Sequence, residues 1–97
     1  PKLARQLLGV KVVDISKQGR FDRPIAADSG VIISEIDQQS ALAGIGVEPG
    51  DVIRKINESK TDDPESFYKA VVKYRWKDSV VILLQRGTKG YYITLEL

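Results

Sequence analysis

The 97-residue sequence contains no cysteine and no histidine. That removes disulfides, zinc sites built on Cys or His ligands, and any His-based catalytic triad from this chain. No apolar run approaches the ~20 residues that a membrane-spanning helix needs. Charge of one sign is also scarce. Fifteen basic and 13 acidic residues leave a net charge of +2, and acids interrupt most basic clusters. A nucleic-acid binder usually gathers Lys and Arg into a stripe, so no nucleic-acid partner is expected. No signal peptide is visible and the chain starts at Pro1 without Met, which reads as a domain excised from a longer protein. What remains is enough for one small domain: 42% of residues are hydrophobic and 29% charged.

Pro1 to Gln6 reads as a short basic lead-in. Leu7 to Val10 is an apolar run broken by Gly9, and Leu8 to Ile15 then reads as a strand. Ser16 to Ser29 is mostly polar and reads as a loop, with Gln18-Gly19-Arg20 as a turn and Phe21, Pro24 and Ile25 as scattered anchors. Gly30 to Ile36 is the second strand. Ser40 is placed to cap a short helix over Ala41 to Ile45, with Gly46 closing it in the left-handed region and Val47 folding back against it. Glu48-Pro49-Gly50-Asp51 is a turn.

Asp51 to Ile56 follows as a strand, and Asn57 to Lys60 as a turn. Asp63-Pro64-Glu65 has the chemistry of a helix start: a capping carboxylate, proline at the first helical position, and an acid in the first turn. The helix is expected from Pro64 to Tyr74. Phe67, Ala70, Val71 and Tyr74 form its buried stripe, and Tyr68 and Val71 an adjoining apolar edge. Ser79 to Leu84 reads as a central strand. Arg86 to Gly90 reads as a hairpin connection, and Tyr91 to Leu97 as the last strand. Core candidates are Phe67, Ala70, Tyr74, Ile33, Ile53, Ile82, Leu84 and Ile93. Trp76 either covers the helix end or sits exposed. Five strands with two inserted helices describe a mostly β domain shaped as a partly open barrel or sandwich.

A basic residue, a glycine turn and a strand in succession suit one task. Turn amides and Arg5 can hold a carboxylate while the strand edge holds extended backbone. The plainer alternative is a glycine bulge feeding an ordinary strand, with Arg5 solvated. Catalysis has little support. Ser59-Lys60 is the one suggestive pair, and adjacent turn residues rarely face each other usefully. Asp62-Asp63 is better explained by helix capping than by paired acid–base carboxylates. No metal and no cofactor are expected.

These elements, in this order, resemble a PDZ domain of the bacterial type attached to HtrA/DegP-like serine proteases. Leu7-Leu8-Gly9-Val10 is similar to the family's X-Φ-Gly-Φ carboxylate-binding loop, with Arg5 where a basic residue often precedes it. Gly30 to Ile36 resembles the family's second motif strand. Ser40 to Ile53 is similar to its most specific signature, S-P-A-x-x-A-G-L-x-x-G-D-V-I. Ile56-Asn57 and Arg86-Gly87 also match. Ala41 replaces the usual Pro, Leu42 and Ile45 replace Ala, and Glu58 stands where Gly usually follows Asn57.

The resemblance implies a circularly permuted bacterial PDZ fold spanning residues 1–97. It implies a peptide lying between the strand Val10 to Asp14 and the helix Pro64 to Tyr74. The N–H groups of Leu8, Gly9 and Val10 would hold its terminal carboxylate, with Gly9 allowing close approach. Val10 and Val12 would pair with its backbone. Leu8, Val10, Val12, Tyr68 and Val71 would receive an apolar last side chain, with Leu7 in the same loop. Lys11 and Pro64 flank this groove, although a solvent-facing strand lysine and a helix-start proline explain them equally well, and Val71 also suits a plain core role.

The implied function is a peptide-binding module that binds C-terminal or extended hydrophobic segments by strand addition. It would present or sense substrate for a serine endopeptidase whose triad lies elsewhere in the parent chain. The implied partners are apolar-ended peptides and the parent's protease domain, the implied location is the periplasm or cell envelope, and the fragment itself is expected to be monomeric. The alternative is an assembly or regulatory PDZ domain of another envelope protein, such as a site-2 protease or a secretion component.

Overall fold

A computed structural model describes residues 2–15, 27 and 29–97. The expected loop anchors Phe21, Pro24 and Ile25, and the turn Gln18-Gly19-Arg20, lie outside the described residues. The chain runs α1 (Lys2–Leu7), β1 (Val10–Asp14), β2 (Val31–Ile36), α2 (Ala41–Ile45), β3 (Val52–Ile56), β4 (Ser59–Lys60), α3 (Pro64–Tyr74), β5 (Ser79–Arg86) and β6 (Lys89–Glu96).

The described residues thus form three helices rather than the expected two. The segment read as a lead-in is helical. Its residues are good helix formers, and Ala4 and Leu8, one turn apart, are both buried in the core. The expected turn at Asn57 to Lys60 is a tight hairpin whose far side, β4, pairs back on β3, with Ile56 opposite Ser59. Asn57 takes the positive φ of that turn, 53°, and is the one non-glycine among the described residues to do so. Glu58, standing where the family usually has Gly, therefore does not need the left-handed region.

All strand pairs are antiparallel, in the order β1-β2-β3-β5-β6, with β4 beside β3. The expected barrel or sandwich is instead one open sheet. Closure requires the end strands to pair, but among the described residues β1 pairs only with β2 and β6 only with β5. Helices cover the apolar face in its place. The strand order gives no evidence of the circular permutation that the resemblance implies.

The main core joins Ala4 and Leu8 to Val10, Val12, Ile33, Ile53, Ile56, Ile82 and Leu84 of the sheet, and to Phe67, Ala70, Val71 and Tyr74 of α3. Ile93, expected in the core, packs against it partly exposed. Across the sheet, Ala27, Ile32 and Val52 make a smaller cluster with Val13 and Ile15. Burying a side chain such as Ile53 contributes roughly 1.5–3 kcal/mol.

Local capping chemistry sets the helix ends. Ser40 Oγ accepts from the Ala43 N–H at 3.2 Å, and Gly46 closes α2 at φ 105°. Leu42 is buried by this helix while Ile45 stays exposed. At α3 the Asp63 carboxylate accepts from the Ser66 N–H at 2.7 Å, and Ser66 Oγ accepts in return from the Asp63 N–H at 3.1 Å. This reciprocal pair satisfies donors that a helix start leaves open. The Tyr74 hydroxyl, in the core, bonds Ser59 Oγ at 3.0 Å. That contact gives Ser59 a structural partner instead of a catalytic one. Trp76 is 84% exposed, with the Arg75 guanidinium over its ring.

Candidate functional site

Among the described residues, strand β1 ends the sheet, paired with β2 on one side. Helix α3 packs against both β1 and α1. An extended segment added to β1 would therefore run along α3. The inner face of this region is apolar: Leu8, Val10, Val12 and Val71 are all buried. Tyr68 and Leu7 pack against the same core while partly exposed, and the Phe67 ring meets the Tyr68 ring edge-on at 5.5 Å. Pro64 sits at the first helical position of α3.

These residues are thus brought to one region, but with little open space. Leu7, Leu8, Val71, Tyr74 and Val80, with Ile56 and Leu97, line a small, partly open cavity of about 10 Å³. That is room for roughly one water.

The loop amides divide into two sets. The Leu8 N–H donates to the Ala4 carbonyl at 2.9 Å, and the Gly9 N–H donates to the carbonyls of Ala4 and Arg5 at 3.1 and 3.0 Å. These amides close α1. Val10 lies opposite Ile36, and the Asp37 N–H donates to the Gly9 carbonyl at 2.7 Å. In antiparallel pairing this places Val10 at a non-hydrogen-bonded position, with its N–H turned to the outer edge. The expected nest of three amides therefore presents Val10 outward, while Leu8 and Gly9 are engaged by the helix.

Gly9 has a second constraint that sequence reading missed. Its φ is +71°, and an added Cβ would lie 2.6 Å from Ser40 Cβ and 3.3 Å from Asp37 Cβ. The missing side chain admits the N-terminus of α2 as well as any ligand. No local sequence signal marks this contact, because Ser40 reaches Gly9 through the sheet.

The two basic residues share one acid. Glu35, on β2 opposite Lys11, lies 3.4 Å from Lys11 Nζ and 3.8 Å from Arg5 Nη2. All three side chains are more than half exposed. Glu35 was not among the expected site residues, although the antiparallel register alone would have placed it beside Lys11.

A family model described as PDZ domain matches residues 6–97. This chain belongs to the PDZ domain family. The PDZ domain is 28% identical, over 84% of its length, to a probable periplasmic serine endoprotease, DegP-like, of Halomonas elongata. Against the serine protease Do-like HtrA of Lactococcus lactis it is 25% identical over 99% of its length. It spans only 17% and 25% of those two proteins. In fold it is similar to the HtrA3 PDZ domain crystallised with a phage-derived ligand, FGRWV: the TM-score is 0.71 at 21% identity, covering 92% of this chain and 81% of that one. It is also similar to the HtrA-type protease AlgW with a decapeptide, with a TM-score of 0.69 at 21% identity, covering 93% of this chain and 27% of that one. The proteins that this PDZ domain resembles over part of their length are named as serine proteases.

Proposed function

We propose that this PDZ domain binds the C-terminal or extended apolar segments of other chains by adding them to the outer edge of β1. The observation that carries the reading is the position of β1: among the described residues it ends the sheet, has α3 alongside, and directs its Val10 N–H outward. Natural proteins usually protect such an edge, and strand addition is the recurring use of one left open. Support also comes from the solved relatives, whose structures carry a peptide ligand.

In this reading the Leu8-Gly9-Val10 loop receives the terminal carboxylate, and Val10 and Val12 pair with the ligand backbone. Leu8, Val71 and Tyr68 border the last side chain, with Leu7 beside them. Arg5 and Lys11 set the local charge, and Pro64 lies at the far end of the groove. An apolar last residue such as Val, Leu, Ile or Phe would contribute roughly 1.5–3 kcal/mol on burial.

Because the chain spans a quarter or less of those two relatives, the parent is proposed to be an HtrA/DegP-like serine endopeptidase in the periplasm or cell envelope. The domain, monomeric on its own, would present or sense substrate for the protease domain.

The test is a selection of random C-terminal peptides on the isolated domain, followed by anisotropy titration of the best peptide with a free and with an amidated C-terminus. Binding that amidation abolishes, and that Tyr68→Ala weakens without lowering Tm appreciably, is expected. Binding that survives amidation removes the carboxylate-loop assignment. No binding from any peptide removes the reading.

A further inference from the structure

The amides that a peptide carboxylate would need are the amides that terminate α1. We propose that α1 is a latch on the carboxylate loop, whose last turn must unwind before a peptide end can be seated. The proposal rests on the peptide-binding reading above.

Three observations meet here. First, the Leu8 and Gly9 N–H groups are held by the Ala4 and Arg5 carbonyls at 2.9 to 3.1 Å. A carboxylate cannot accept from them in that state. Second, the loop is fixed on its other side. The Asp37 N–H holds the Gly9 carbonyl at 2.7 Å, and the bare face of Gly9 abuts Ser40. The loop cannot retreat toward α2, so α1 has to give way. Third, Leu7, the last residue of α1, lines the cavity of about 10 Å³ beside Leu8 and Val71. Unwinding the last turn lifts Leu7 from that cavity and frees both amides in one movement.

The energetics favour α1 as the part that yields. It has six residues and no acid in its first turn, and a helix this short is unstable alone in water. Among the described side chains, its hold on the domain comes from buried Ala4 and partly buried Leu7, with buried Leu8 just beyond its end. An incoming carboxylate replaces neutral carbonyl acceptors with charge-assisted ones, which are roughly twice as strong. Ligand occupancy is thereby converted into a helix-to-coil change over Ala4 to Leu7. The ligand works against α1, so anything that stabilises α1 weakens binding, and anything that loosens it strengthens binding.

The test uses Gln6, an exposed residue of α1 outside the proposed binding residues. The best free-carboxylate peptide from the selection is titrated into Gln6→Gly and Gln6→Ala. The helix propensity difference makes the glycine variant bind about four- to five-fold tighter. In the unsubstituted domain, backbone carbon shifts of Ala4 to Leu7 move from helical to coil values as that peptide saturates. Equal affinities for the two variants, with helical shifts retained in the complex, overturn the latch and leave peptide binding standing. A selection that yields no binder removes the peptide reading and the latch together.

Discussion

The Arg86 guanidinium grips the Asp51 carboxylate with two nitrogens. Nε donates to Oδ1 at 2.8 Å and Nη2 to Oδ2 at 2.7 Å. Nη2 also donates to the Gly46 carbonyl at 2.7 Å, and the Glu48 N–H donates to Asp51 Oδ2 at 2.9 Å. One pair thus ties the end of β5 to the end of α2 and to the turn before β3. The two residues belong to separate stretches of the family resemblance, Ser40 to Ile53 and Arg86-Gly87, and their role here is to hold the fold. Hydrogen bonding to Asp51 raises the Arg86 pKa above its ordinary range, against the opposing effect of burial, and the nearby Asp51 and Glu48 charges add to the rise. A raised cation pKa contributes stability below its unfolded-state value, so this contribution persists at every working pH. Arg86→Ala leaves a buried carboxylate without its main partner. Because the Arg86 side chain is 39% exposed, water offsets part of that loss, and the expected cost is about 2–3 kcal/mol. Urea titration checks it, and a loss under 1 kcal/mol would mean that the remaining partners of Asp51 suffice.

Gly9→Ala is expected to damage the fold before it affects any ligand. The new Cβ would sit 2.6 Å from Ser40 Cβ, at a backbone φ of +71°. Left-handed strain and overpacking together cost about 2–4 kcal/mol. The sequence reading gives the bare Gly9 one use, the close approach of a peptide carboxylate. Comparing Tm with peptide affinity separates the two: an unchanged Tm with lost binding would return Gly9 to a purely ligand-facing role.

What sequence reading recovered was local chemistry. Ser40 and Gly46 bound α2, and Asp63-Pro64 starts α3, because a cap needs only neighbours within a few residues. The stripe Phe67, Ala70, Val71 and Tyr74 is buried as its spacing requires. What it missed depends on distant partners. α1 is stabilised by burial of Ala4 and Leu8 in the core, and its closing bonds engage the very amides assigned to a ligand. The spacing of Ala4, Leu7 and Leu8 was the one available signal, and it is too short to separate a helix turn from a strand entry. Open or closed ends of the sheet are likewise a property of strand pairing across the whole chain, which periodicity does not report.

The α3 cap should show in acid titration. Hydrogen bonds from the Ser66 backbone and then its side chain, with a smaller contribution from the Lys69 charge, hold the Asp63 pKa below its ordinary 3.8. A lowered carboxyl pKa adds stability above the unfolded-state value, and that stability is lost as pH falls through the lower folded-state value. Asn caps a helix about as well as Asp but carries no charge. The Tm gap between the unsubstituted domain and Asp63→Asn is therefore expected to be constant above roughly pH 5 and to narrow below about pH 4. Thermal melts from pH 2 to 7 test this, and a gap that is flat throughout would mean that the cap acts without its charge.

Glu35 offers a test of the groove that leaves the core untouched. It stands between Lys11 Nζ at 3.4 Å and Arg5 Nη2 at 3.8 Å, with all three side chains more than half exposed. Pairs this exposed contribute about 0–1 kcal/mol to stability, so Glu35→Gln is expected to leave Tm nearly unchanged. It also leaves two cations unneutralised beside the proposed carboxylate loop. Charge near a docking site acts mainly on encounter, so the association rate of an acidic peptide should rise about two- to three-fold at low salt, with little change in dissociation. Screening shortens to roughly 3 Å at 1 M salt, and the gain should disappear there. Stopped-flow mixing across a salt series reads both rates. An association rate that ignores the substitution at low salt would place Arg5 and Lys11 outside the ligand's approach and leave them as solvated surface cations.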